Sequence, residues 1–193
     1  AEDSRGLNSP NIQISQKCEE ILFLMGKKDE AYNRYALSTN QSMTHLATFR
    51  ALVKKYPHKN PQNILQDLIK SQPGAEGKWF AAAKSAGFYD LAIELVSQNP
   101  ADPRTLTRAA REFASKNPDF AIASGMASLR WISAGCGYEI TSDDVLEAFN
   151  AVMEAAYSAG INALEMTIKI EKLISAEANN QFVNSVLIRY LNK

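Results

Sequence analysis

The chain has 193 residues, 46% hydrophobic and 22% charged, with 21 Lys+Arg against 21 Asp+Glu. That is enough apolar material for a core in one domain or a short repeat array. The neutral balance argues against a general electrostatic grip on nucleic acid or a membrane surface, and no apolar run approaches the length that spans a bilayer.

Residues 1–10 read as a polar lead-in, and 11–193 as a single helical domain with a possible sub-boundary at 72–77. The first helix is expected from about Asn11 to Met25, with Cys18, Ile21, Leu22 and Met25 on its buried face and Gly26 as its stop. A second runs from Asp29 to Leu37 and buries Ala31, Tyr32 and Tyr35. The third, Ser42 to Tyr56, buries Leu46, Phe49, Leu52, Val53 and Tyr56 before Pro57 ends it. Asn60-Pro61 opens a fourth, because Asn accepts N–H bonds at a cap and Pro suits the first turn. Its stripe is Ile64, Leu65, Leu68 and Ile69.

After the Pro73-Gly74 break, a fifth helix spans Lys78 to Ala86 and a sixth Tyr89 to Gln98. Asp102-Pro103 and Asn117-Pro118 open the seventh and eighth. Thr141 and Asp144 have the spacing of a capping box for the ninth, which runs to Ala159. The last two are expected at Ile161 to Glu177 and Asn179 to Tyr190. The fold class is therefore all-α, with about ten or eleven helices and no convincing strand.

Ser-Ala-Gly closes three of these helices, at Gly87, Gly135 and Gly160, and Met25-Gly26 closes the first. Ala31, Ala92 and Ala163 follow three of those glycines closely, where a small side chain lets the second helix of a hairpin approach the first. Gly26, Ala31 and Tyr35, and again Gly87 and Ala92, resemble the turn and second helix of a tetratricopeptide repeat. The resemblance implies antiparallel hairpins stacked as a short right-handed superhelix. The alternative arrangement is a closed bundle in which the same hairpins wrap one core.

Little of the sequence has the spacing of a chemical motif. His45 and His58 form no metal-binding or catalytic pair. Cys18 and Cys136 sit among apolar residues and read as buried free thiols, which points to a cytoplasmic setting. No cofactor is expected. Glu19-Glu20 and Asp143-Asp144 diverge by roughly 100° on a helix and make no dyad. Lys54, Lys55 and Lys59 form a short basic cluster that cations near a helix end explain without nucleic acid.

Two features point to binding. Arg104, Arg108 and Arg111 recur at i, i+4 and i+7 on the seventh helix, opposite the inward Leu106, Ala110 and Phe113. Guanidinium forks hold carboxylates bidentately, so this stripe suits an acidic protein or peptide partner. The competing reading is an internal ladder to Glu147 and Glu154 on the ninth helix. Trp79 and Phe80 beside Lys78 read as core rings, with a ligand or peptide anchor at Lys78 and Trp79 the alternative. The expected function is a non-catalytic helical scaffold for protein–protein interaction. The alternative is an enzyme or regulatory domain with a cleft built from scattered residues.

Overall fold

A computed structural model describes residues 10–177 and 179–191. Every regular element among them is helical. The expected lead-in falls outside the described residues except for Pro10, which begins the first helix. The chain forms two compact units, one ending at Gly74 and the other beginning at Ala75.

The first unit contains α1 (Pro10–Leu24), α2 (Lys28–Ala31), a π-helical turn (Tyr32–Ala36), α3 (Leu37–Thr39), α4 (His45–Lys55) and α5 (Pro61–Lys70). Gly26, at φ 76°, turns the chain back after α1. The N–H of Lys27 donates to the Leu22 carbonyl at 2.9 Å, and that of Gly26 to Phe23 at 3.0 Å. This paired closure satisfies carbonyls that the helix end leaves free. The fully buried Ala31 lets α2 close on α1. Leu52, Ile64, Leu65 and Leu68 are buried with Tyr56, whose ring lies 5.1 Å from both Phe23 and Tyr32.

One face is corrected here. Cys18, Ile21, Leu22 and Met25 do not form the buried side of α1. Glu19 is the buried residue, at 1% exposure, with Leu22 and Phe23 partly buried beside it, while Ile21 and Met25 are 54% and 59% exposed. Apolar residues occupy two sides of this helix, so periodicity alone did not choose between them. The hydrogen-bond donors that meet Glu19 identify the inner side.

The second unit begins with a 3-10 turn (Glu76–Trp79). It continues through α6 (Phe80–Ser85), α7 (Tyr89–Gln98), α8 (Pro103–Phe113), α9 (Pro118–Ser133), α10 (Ser142–Ser158), α11 (Ala163–Ser175) and α12 (Gln181–Leu191). Four N-caps form at the expected residues, while α4 is capped by Thr44 and starts at His45 rather than Ser42. The side chains of Asn60, Asp102 and Asn117 accept from Gln62, Thr105 and Phe120, and Thr141 with Asp144 makes a complete capping box. Asn162 caps α11 in the same way, so that helix starts two residues later than the apolar Ile161 suggested.

α9 touches α7, α8, α10, α11 and α12, so the hairpins of this unit close around one central helix. Leu129 and Ile132 of α9 pack with Val145, Phe149 and Val152 of α10, Met166, Ile170 and Ile174 of α11, and Val183 and Leu187 of α12. On the side of α9 that meets both α8 and α10 the residues are small. A Cβ added to Gly125 would stand 2.5 Å from Val152 Cγ2 and 3.4 Å from Ala110 Cβ. The hydroxyl pair Thr107–Ser128, at 2.8 Å, and a bond from Ser128 to the Pro103 carbonyl, at 2.9 Å, join α8 to α9. Tyr89, Phe113 and Phe120 form a ring cluster with centroids 4.9–5.3 Å apart.

Candidate binding ridge and a buried acidic pin

The Arg stripe stands on α8 because Leu106, Ala109 and Ala110 take the buried side of that helix. Its three members have different partners. Arg104 makes the fork expected of a guanidinium, Nε to Asp144 Oδ1 at 2.7 Å and Nη2 to Oδ2 at 3.0 Å, with Nη2 also donating to the Glu139 carbonyl at 2.9 Å. Asp144 is at the same time the N3 residue of the α10 capping box, accepting from the Thr141 N–H. Arg104 first, against the opposing effect of burial, and then Thr141 hold this carboxyl far below the usual carboxylate range.

Arg111 reaches Glu147 more loosely, Nη1 to Oε2 at 3.6 Å. Arg108, between them, is exposed and forms no ion pair among the described residues. The ladder to α10 thus exists for Arg104 and Arg111, through Asp144 and Glu147 and not through Glu154. It leaves Arg108 without an ion pair among the described residues, its charge acting on Glu112 one turn on, which is itself paired with Lys84. All three arginines contribute to the lining of a cleft of about 150 Å³ with Pro103, Thr107, Ile132, Asp144 and Glu147. Arg104 is the firmly tethered member of the three, Arg111 is loosely held, and Arg108 is exposed.

At the second candidate anchor the core reading of the ring holds. Trp79 is fully buried and belongs to the core, whereas Lys78 beside it is exposed. In the 3-10 turn that carries them, Gly77 lies so close to the Pro100 backbone that a Cβ would be 2.2 Å from its carbonyl oxygen. Trp79, two residues on in the same turn, faces inward. Nothing in the apolar pattern marked Gly77, since its role depends on a contact across 23 residues of sequence.

The first unit holds a polar cluster that spacing did not reveal. The Glu19 carboxylate accepts from Thr39 Oγ1 at 2.7 Å, from Asn40 Nδ2 at 2.9 Å and from the Tyr56 hydroxyl, and pairs with Lys55 Nζ at 2.8 Å. Burial alone would raise its pKa. The donors Lys55, Tyr56, Thr39 and Asn40 together outweigh burial and hold it below the ordinary value of 4.5. Thr39 follows the π turn, and its hydroxyl oxygen also lies 2.8 Å from the Tyr35 carbonyl, a competing acceptor for the same proton. Next to this cluster, Tyr32 donates to Asp67 at 2.8 Å, and its own phenol titrates higher than usual, from burial first and then from that carboxylate. The Lys54–Lys59 segment is largely neutralised in the same region, with Lys59 Nζ 2.7 Å from Asp29 and His58 3.5 Å from it.

Among the described residues no group of three His, Cys, Asp or Glu side chains is placed to hold a metal ion, and no helix is long and apolar enough to cross a membrane. Cys18 and Cys136 are free thiols, partly rather than fully buried. Compared with known proteins, the chain matches no family model, no curated protein and no solved structure.

Proposed function

We propose that this chain is a hairpin-built helical scaffold that binds an acidic protein or peptide segment along α8. The observation that carries the reading is the division of labour among the three arginines. Arg104 is clamped by Asp144 and the Glu139 carbonyl, Arg111 is loosely held by Glu147, and Arg108 is exposed between them in the same cleft. A carboxylate entering there meets the fork of Arg108 directly and competes with Glu147 for Arg111. Fork geometry and pre-oriented neighbours favour Asp or Glu side chains over a diffuse anion.

The enzymatic alternative needs an ionisable group with spare capacity in a cleft. The most deeply buried acid, Glu19, has its lone pairs taken by four side-chain donors, which suits a pin between helices better than a proton donor or nucleophile.

The test is fluorescence anisotropy with a set of labelled Glu/Asp-rich peptides. Binding that weakens with salt, drops at least about tenfold in R108E, and is only partly restored in R108K supports the reading. Equal binding by wild type and R108E overturns it.

A further inference from the structure

Two carboxylates of α10 stand against the arginines of α8, and they are held differently. Asp144 is locked. It takes the Arg104 fork at 2.7 and 3.0 Å and accepts from the Thr141 N–H at 2.8 Å and hydroxyl at 2.9 Å, with its side chain only 16% exposed. Glu147, three residues on, is not. Its Oε2 lies 3.6 Å from Arg111 Nη1, beyond hydrogen-bond reach, and the two side chains are 59% and 55% exposed. Charge alone joins them, and exposed pairs of this kind are weak. Both residues line the same cleft as Arg108.

We propose that Glu147 is an internal stand-in for a guest carboxylate: it occupies Arg111 while the cleft is empty and swings aside when an acidic side chain enters. This masking rests on the peptide-binding function proposed above. Glu147 carries the same chemical group that the guest presents, on a long side chain with solvent beside it. Asp144 cannot act in this way, because withdrawing it would break the Arg104 fork and the α10 capping box together. Displacing Glu147 breaks one charge contact and no hydrogen bond. Arg108 and Arg111, three residues apart on one face of α8, are then both open to a single guest carboxylate. The mask also sharpens selectivity, since a guest that forms a hydrogen-bonded fork outcompetes Glu147 and a diffuse anion does not. A role in joining α8 to α10 is already filled by the Arg104–Asp144 fork and by the packing of Ala110 and Val152 about Gly125.

Fluorescence anisotropy with labelled Glu/Asp-rich peptides and the full chain tests it. E147Q should bind about two- to fivefold tighter than wild type, the range to which releasing an exposed ion pair converts. Glu154 lies two turns further along α10 and is exposed, so E154Q makes the same change in net charge and should leave affinity near wild type. In an R111Q background E147Q should bring no gain, because the masked group is gone. The melting temperature of E147Q should stay close to wild type. A gain that E154Q reproduces, or that survives in R111Q, overturns the mask in favour of general charge, and E147Q binding no tighter than wild type overturns it outright. In those cases loss of binding in R108E retains the cleft as the peptide site. Peptides that bind wild type and R108E alike, or that bind neither wild type nor E147Q, remove the function and the mask together.

Discussion

Gly77 and Gly125 are read from their neighbours rather than from their dihedral angles. At Gly77 the obstruction is backbone, which cannot swing aside, so G77A should lower stability by about 1–3 kcal/mol, measured as a shift in the urea midpoint. An unchanged midpoint would mean that the Glu76–Trp79 turn does not need this approach to Pro100. Gly87 and Gly160 are different: open space surrounds both, but φ of 79° and 72° strains any β-branched residue. G87V and G160V should each cost about 1–2 kcal/mol from conformation alone. Ser124 supplies a contrast, because its hydroxyl is fully buried and has no hydrogen-bond partner among the described residues. S124A removes a desolvated polar atom without opening a large cavity, so stability should hold or rise by up to about 1 kcal/mol. A clear loss would show that the hydroxyl is satisfied in solution.

Among the elements, α1 is the one whose orientation depends most on a single polar residue. Glu19 joins it to α3 and α4 through Thr39, Asn40, Lys55 and Tyr56. E19Q keeps the shape and removes the charge, and should cost about 1–3 kcal/mol of stability at neutral pH. The folded-state pKa of Glu19 lies below its ordinary 4.5, so its contribution is complete above that value and is lost as pH falls through the lower folded value. Melting temperature plotted against pH should therefore fall on the acid side of about 4.5 less steeply in E19Q than in wild type. Parallel curves would contradict the assignment. Asp144 acts in the same direction at the start of α10, so part of the acid loss remains in that variant.

At the scale of the whole molecule, what the sequence disclosed and what it hid follow from the range of the interactions. Helices, their Asn, Asp and Thr caps and their glycine stops are local, and these matched closely: Gly26, Gly74, Gly87, Gly135 and Gly160 all have positive φ. Ala31 and Ala92 are fully buried, as the hairpin spacing required, whereas Ala163 is exposed and does not serve a close helix approach. The inner face of α1 was misread because a buried carboxylate is recognisable only from donors 20 to 37 residues away. The central position of α9 was hidden for the same reason, since its Gly125, Ser124 and Ser128 look like weak helix formers until α8 and α10 are brought against them. The Arg stripe was visible as a pattern, but only three-dimensional pairing separates the structural Arg104 from the available Arg108.

That separation is the centre of the account, and amide chemical-shift mapping tests it most directly. A Glu/Asp-rich peptide titrated into labelled protein should shift resonances of α8 between Arg104 and Arg111 and of α10 near Glu147, and R108E should remove those shifts while its spectrum otherwise matches wild type. Shifts confined to other helices, or a pattern on α8 that R108E leaves unchanged, would contradict it.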